Sequence, residues 1–174
     1  TASMRTHLER ELKRAGVAVV TGVSVVDADE TGLRLTQYED VPAGFVALAT
    51  GARPHAWLAG TGLRLHDGFV CVGPTLQSLS HPHVFACGDT AHLAFDPRPK
   101  AGVFAVRQGA VLADQMIRLA TNQPLAHYHP QKDYLKLVSL GRRRAIAQKW
   151  GITLNLPGLW ALKRHIDLKF MENS

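Results

Sequence analysis

The chain has 174 residues, of which 46% are hydrophobic and 20% are charged, a composition typical of folded globular proteins. This composition excludes a disordered or collagen-like chain, and the length excludes two complete nucleotide-binding domains, which together need about 300 residues. No apolar run reaches the ~18 residues that a membrane span requires.

Basic residues are concentrated in the second half of the chain. Residues 1–92 carry 7 lysines and arginines against 9 acidic residues, whereas residues 93–174 carry 13 against 5. A basic half suits an anionic partner, but charge alone does not distinguish lipid, nucleic acid and a phosphorylated ligand. The two cysteines, Cys71 and Cys87, form neither a disulfide framework nor a CxxC motif. We therefore expect buried structural thiols and a cytoplasmic protein.

The first half of the chain predicts one helix followed by short strands. Apolar residues at helical spacing predict a helix over 4–15, and the β-branched segment GVAVVTGVSVVDA (16–28) predicts one strand or two short ones. Turns at 29–32 and 39–42 bracket another strand. The apolar segment FVALAT (45–50) predicts a strand that ends at Gly51.

The second half predicts the longest helix and a separate strand-plus-helix terminus. The strands GFVCV (68–72) and VFAC (84–87) precede a proline-rich loop, DPRPK (96–100), and a helix over 101–121. Segments 134–140 and 144–156 predict two or three strands around a basic turn at 142–144, and an amphipathic helix is predicted over 159–171. Because repeated βαβ crossovers are missing, this α/β pattern is expected to be part of a larger fold.

Two short stretches predict a ligand site. ATGARP (49–54) follows an apolar segment, and HPHVFACGDTAH (81–92) brings Gly88 and Asp89 to the end of a predicted buried strand. Open α/β sheets bind ligands at the carboxyl ends of their strands, so Asp89 is well placed to bond a ligand hydroxyl. Gly51 and Gly88 allow the backbone a close approach to a cofactor, which a Cβ would obstruct.

These stretches resemble the flavin-dependent pyridine-nucleotide oxidoreductase superfamily, which includes disulfide reductases, type II NADH dehydrogenases and sulfide:quinone reductases. The resemblance implies an α/β chain that is the C-terminal part of a two-dinucleotide-binding-domain flavoprotein. Residues 1–50 would end the NAD(P)H-binding domain, and residues 51–122 would form the C-terminal part of an incomplete Rossmann-like FAD domain. Residues 123–174 would form a small basic strand-plus-helix region.

The same resemblance implies a set of cofactor-binding residues and no acid–base catalyst. The set is Thr50, Gly51, Gly88, Asp89, Lys100, Ala101, Gly102 and Val103. The aspartate would hold the ribityl chain of FAD, and the Thr-Gly pair would line the cofactor at the domain crossover. The start of the long helix would face the pyrimidine edge of the flavin, where its positive end stabilises negative charge.

The chain departs from the superfamily in lacking a phosphate-binding glycine turn. The nearest approach to GxGxxG is the segment GTGLRL (60–65), which has no third glycine and no strand–helix context. Phosphate binding relies on backbone N–H groups at a helix N-terminus reached through such a turn. We therefore expect this chain to be the C-terminal half of such an enzyme and to bind FAD weakly or not at all by itself.

A narrower resemblance, to type II NADH dehydrogenase-like proteins associated with selenophosphate synthase, rests on RPKAGVFAVRQG (98–109) and the terminus HIDLKFMENS (165–174). Gly102 and Val103 stand where type II NADH dehydrogenases carry a quinone-facing Ala-Gln pair, while Gln108 is retained. The expected function is thus an FAD-dependent NAD(P)H dehydrogenase-type oxidoreductase that passes hydride to flavin and electrons to a quinone or another acceptor.

The alternative from another class is a non-catalytic, flavoprotein-like partner that docks a selenophosphate synthase or a membrane surface. The stripe Leu159, Leu162, Ile166 and Phe170 suits either a helix on anionic lipid, hence a peripheral position on the inner membrane face, or a helix packed onto the fold. No nucleic-acid motif accompanies the basic turn, so no nucleic acid is expected. No metal is expected either, because the His-x-His pairs 81/83 and 127/129 lack carboxylate or thiol partners at ligand spacing.

Overall fold

A computed structural model describes residues 1–172. Its α-helices are α1 (Ala2–Arg14), α2 (Gly102–Ala120) and α3 (Leu159–Glu172). Its strands are β1 (Val25–Asp29), β2 (Gly32–Leu35), β3 (Val41–Pro42), β4 (Leu65–His66), β5 (Phe69–Val72), β6 (Ala91–Leu93), β7 (Lys136–Gly141), β8 (Arg144–Lys149) and β9 (Ile152–Leu154). Two 3₁₀ turns cover Ala56–Gly60 and Gly88–Thr90. The chain is therefore of the expected mixed α/β class.

The fold divides into two compact units. The first combines residues 1–48 with the described residues from 133 onwards, and the second is residues 49–132. The first unit contains the antiparallel sheets β1-β2-β3 and β7-β8-β9, and the second contains the sheet β4-β5-β6. The long helix α2 belongs to the second unit, which also carries most of the predicted site residues.

In the first unit, β8 is the buried central strand. Four consecutive residues of β8, 145–148, are buried, as expected for a strand covered on both faces. Helix α1 is attached to this strand by an ion pair of 2.6 Å between Arg144 and Glu11, and by a bond from the Gln148 amide to the Thr1 hydroxyl. The predicted basic turn is confirmed at Arg142 and Arg143, both of which have positive φ.

The strand predicted over FVALAT is wrong. Residues 43–50 form no strand in the described structure, and Phe45 and Leu48 are 85% and 68% exposed. Within the β-branched segment 16–28 only β1 begins, at Val25. Apolar, β-branched sequence therefore did not suffice here, because a strand forms only where a neighbouring strand takes up its backbone hydrogen bonds.

In the second unit, the core lies around β5. This strand pairs antiparallel with β4 and parallel with β6. Its residues Val70 and Val72 pack with Leu76 and Leu93 in one buried cluster, against which Val111 and Leu112 of α2 also pack. Burial of these apolar side chains fixes the side of the small sheet on which α2 lies.

The predicted strand VFAC is extended but does not join a ladder. Phe85 makes one isolated bridge with Gln77, and the Ala86 amide donates to the Leu76 carbonyl at 3.1 Å. The segment is thus held by individual backbone bonds and by burial of Ala86 rather than by sheet pairing. It still delivers the chain directly into the 3₁₀ turn Gly88–Thr90.

Within residues 1–172, no helix combines the length and the apolar character needed to cross a bilayer. The same residues contain no group of three histidine, cysteine, aspartate or glutamate side chains arranged to hold a metal ion.

Candidate functional site

A small cavity lies between the 3₁₀ turn Gly88–Thr90 and the start of α2. Its volume is about 10 Å³, which is about the room that one water molecule needs. The residues that line it are Gly88, Asp89, Ala91, Leu93, Arg98, Pro99, Lys100, Ala101, Phe104, Ala105 and Gln108. Four residues of the predicted set therefore meet at one place.

Gly88 brings the turn close to α2. Its φ is +63°, and a Cβ built on it would lie 3.2 Å from the Cβ of Ala105. Its N–H donates a hydrogen bond of 2.6 Å to the side-chain oxygen of Gln108. The glycine therefore meets both a conformational requirement and a spatial one, and the turn is fixed to the helix by a contact and a hydrogen bond.

Asp89 presents an unengaged carboxylate at this cavity. The residue is exposed, and among residues 1–172 no group donates a hydrogen bond to its carboxylate or forms an ion pair with it. Lys100 interacts with it only through space, and this interaction favours the charged form of the lysine. The acceptor capacity of Asp89 is thus available to a ligand.

The Lys100 side chain is folded back onto the small sheet. Its ammonium donates to the carbonyl oxygen of Ala91 and lies 4.0 Å from the centroid of the Phe69 ring. Burial lowers the pKa of Lys100, and the charge of Asp89 opposes that shift. The lysine therefore places a fixed, partly desolvated positive charge beside the cavity.

The N-terminus of α2 has no side-chain cap. Ala101 precedes the helix in extended conformation, and no side chain of the described residues accepts from the first turn. The amides of Gly102 and Val103 precede the first helical hydrogen bonds, which run from Phe104 and Ala105 to the Ala101 carbonyl. These uncapped N–H groups and the partial positive charge of the helix end favour an electronegative ligand atom.

Two cavity residues were missed as functional candidates in the sequence. Arg98 pairs with Asp96 at 2.6 Å, yet its buried Nε has no hydrogen-bond partner in the described structure. Gln108 is 4% exposed and holds the Gly88 amide. In the sequence, Arg98 could have been noticed as a basic residue between two prolines. Gln108 could have been noticed because it lies on the same helix face as Ala101 and Ala105.

Thr50 and Gly51 are not brought to this cavity. They lie in the irregular, exposed segment before the 3₁₀ turn Ala56–Gly60, and Gly51 has a φ of +86°. Gly102 and Val103 do not line the cavity either, but they directly follow Ala101 in the first turn of α2.

Cys87 precedes the turn as a half-buried free thiol, and Cys71 in β5 is buried and free. Burial raises the pKa of the Cys87 thiol, so less thiolate is present at neutral pH than in an exposed cysteine. We expect alkylation of the folded protein at pH 7.5 to be much slower than that of the unfolded chain, and to accelerate as the pH is raised. Mass spectrometry of time-quenched samples measures this, and a rapid reaction at Cys87 would contradict a structural role.

The comparisons with known proteins agree with this architecture. The profile of a family described as "Pyridine nucleotide-disulphide oxidoreductase" matches residues 1–109. The sulfide:quinone oxidoreductase from the hyperthermophilic bacterium Aquifex aeolicus superposes with a TM-score of 0.73 at 16% identity, over 95% of this chain and 44% of that chain.

Two further solved structures are also similar. The ferredoxin reductase for the CYP199A2 system from Rhodopseudomonas palustris gives a TM-score of 0.61 at 18% identity, over 86% of this chain and 43% of that chain. Fdr9 gives a TM-score of 0.56 at 23% identity, over 83% of this chain and 42% of that chain. At these identities the likeness shows the fold alone, and the chain spans less than half the length of each of these structures.

Proposed function

Because the chain belongs to the pyridine nucleotide-disulphide oxidoreductase family, we propose that it supplies the flavin-facing wall of an FAD-dependent NAD(P)H oxidoreductase. The observation that carries this proposal is the unengaged carboxylate of Asp89 beside the uncapped start of α2. An acceptor for ligand hydroxyls therefore lines the cavity, and donors for electronegative ligand atoms follow directly after the cavity residue Ala101, in the first turn of α2. No residue of the set is proposed as an acid–base catalyst.

The groups at the cavity fit the polar edge of FAD. Asp89 would accept hydrogen bonds from ribityl hydroxyls, and the amides of Gly102 and Val103 would donate to the pyrimidine edge. Lys100 adds a positive charge and the N-terminus of α2 adds a partial one, and both favour an electron-rich ring. Arg98, which also lines this cavity, carries a further buried donor, its Nε, that has no partner among the described residues. When bound, FAD supplies the hydride-accepting and electron-transferring chemistry, while these residues bind and orient it.

We further propose the division of the complete protein into functional parts. Residues 1–50 would belong to the NAD(P)H-binding domain, residues 51–122 to the FAD domain, and residues 123–174 to a basic terminus. Thr50 and Gly51 would approach the cofactor at the crossover between the first two. This proposal is supported by the family match over residues 1–109 and by the chain's coverage of less than half of each solved relative.

A quinone is the electron acceptor that we propose to test first. The support is the fold likeness to an enzyme named sulfide:quinone oxidoreductase, which covers 95% of this chain. One of the solved relatives argues for a broader assay, since it is named as a ferredoxin reductase. Quinone, ferredoxin and dye acceptors therefore belong in one comparison.

A docking role is the second candidate, and the exposed apolar residues of α3 favour it. Leu162, Ile166 and Met171 are 43%, 42% and 74% exposed, and basic residues lie between them. Such a helix suits either an anionic membrane surface or a protein partner, for which a selenophosphate synthase is the candidate that the sequence resemblance implies. Liposome co-sedimentation that is unchanged by deletion of residues 157–174 would exclude the membrane role.

Cofactor binding and turnover of the complete protein test the proposed function. We expect a flavin absorption band that stays with the protein through gel filtration and bleaches anaerobically on addition of NADH or NADPH. Oxidation of the reduced nucleotide should then depend on an added acceptor. Bound flavin without turnover would favour the docking role, and failure to bind flavin at all would contradict the oxidoreductase proposal.

A further inference from the structure

Gln108 is a buried polar residue whose partner lies 20 residues earlier in the chain. It stands on the second turn of α2, is 4% exposed and lines the cavity. Its side-chain oxygen accepts the Gly88 amide at 2.6 Å. A buried carboxamide is costly to desolvate unless its groups are bonded, so its presence between the helix and the turn requires a reason.

The orientation of the Gln108 carboxamide follows from its partner. Because the Gly88 N–H is a donor, the side-chain atom that faces it must be the oxygen, and the NH₂ group is directed elsewhere. No acceptor for that NH₂ group is present among residues 1–172, and the group is not sealed from solvent. Two donor hydrogens thus remain at the residue that lines the cavity.

The bond to Gly88 acts on the geometry of Asp89. The turn that carries Asp89 begins at Gly88, whose backbone has a positive φ and abuts Ala105. The Gln108 bond fixes the Gly88 N–H group of this turn to α2. Loss of the bond would leave a part-buried amide without an acceptor and would free the turn to move.

We propose that Gln108 is a positioning residue: its oxygen clamps the turn that presents Asp89, and its NH₂ group donates a hydrogen bond to an oxygen or nitrogen acceptor of the bound isoalloxazine. The second half rests on the proposed function, whereas the first half does not need the cofactor. One side chain thus links the position of the ribityl-binding carboxylate to the electron-rich edge of the ring.

The test compares three variants of the complete protein. Gln108→Leu removes both the clamp and the donor, whereas Gln108→Glu keeps an oxygen for Gly88 but replaces the donor with negative charge. Gln115→Leu is the matched control, because Gln115 is equally buried on the same helix and bonds both backbone groups of Ala126 away from the cavity. A purely structural loss should affect Gln115→Leu as much as Gln108→Leu.

Amide hydrogen exchange of the cofactor-free protein tests the bond between Gln108 and Gly88. Titration with flavin tests the hydrogen bond that the Gln108 NH₂ group donates to the cofactor. In Gln108→Leu we expect faster exchange at the amides of residues 88 and 89 and about tenfold weaker FAD binding, the size expected for one lost bond to a part-buried amide. Gln108→Glu should keep the slow exchange but lower the midpoint potential of the bound flavin, because its charge disfavours the electron-rich form. Gln115→Leu should lower the melting temperature and leave the exchange at residues 88 and 89 and the flavin potential unchanged.

The failures are distinguishable. Unchanged amide exchange in Gln108→Leu would contradict the role of Gln108 in holding the turn. A midpoint potential of the bound flavin in Gln108→Glu equal to that of the wild type would contradict its role as a donor to the ring. If the wild-type protein binds no FAD, the proposed function fails and the donor role fails with it, while the exchange measurement still decides the clamp.

Discussion

Replacement of Asp89 by alanine in the complete protein is expected to weaken FAD binding by roughly 10- to 150-fold while leaving stability almost unchanged. The loss corresponds to about 1.5–3 kcal/mol for hydrogen bonds to a charged acceptor. Stability should change by less than about 0.5 kcal/mol, because the side chain is exposed and makes no hydrogen bond within the described residues. Flavin fluorescence titration and denaturant unfolding of the apoprotein measure the two quantities separately.

Two further variants make this test specific to the site. Asp89→Asn keeps the shape and one acceptor oxygen but removes the charge, so it should bind FAD with intermediate affinity. Asp114→Ala is the control, since Asp114 is also an exposed aspartate of the second unit, and its partner is Arg118 in the last turn of α2, which does not line the cavity. An FAD affinity in Asp89→Ala equal to that of Asp114→Ala would remove Asp89 from the binding site.

The sequence predicted well those elements whose signal is local. Helix α2 spans Gly102–Ala120 against a prediction of 101–121, because its apolar positions repeat at helical spacing over five turns. Strands β8 and β9 fall inside the predicted segment 144–156, and β7 ends one residue beyond the predicted segment 134–140. FVALAT, in contrast, has apolar and β-branched residues but no strand beside it, and pairing with a distant neighbour cannot be read from a window of six residues.

The sequence predicted only those residues of the candidate site that lie in short, recognisable segments of the chain. Gly88 and Asp89 were predicted from the Gly-Asp pair, and Lys100 and Ala101 from the loop before a long helix. These four residues line one cavity, and their role in cofactor binding stays a prediction. Gln108 could not be assigned its role in advance, because its partner is a backbone amide that only the packing of α2 onto the turn brings within reach. Thr50 and Gly51 were also predicted from a sequence motif, but they do not line the cavity, so their role stays a prediction.

Gly88→Ala is expected to damage both the fold of the second unit and the cofactor site. An L-residue at φ +63° costs about 1–2 kcal/mol, and the new Cβ would press on the Ala105 Cβ at 3.2 Å. We therefore expect a loss of about 1–3 kcal/mol in the free energy of unfolding. FAD binding should weaken further, because any shift that relieves the contact moves the turn that carries Asp89. Denaturant unfolding of the apoprotein and flavin titration measure the two effects.

A double-mutant cycle with Ala105→Gly separates the two causes of this loss. Ala105→Gly alone should cost about 1 kcal/mol, because glycine is a poor residue for a helix interior. In the double variant Gly88→Ala/Ala105→Gly the contact is relieved but the positive φ is not, so the combined loss should be smaller than the sum of the single losses. Strict additivity would show that the approach of Ala105 is not limiting. If both stability and FAD affinity are higher in the double variant than expected from the single variants, the position of the turn controls binding. If only stability is higher, the loss of binding is due to the backbone conformation at residue 88.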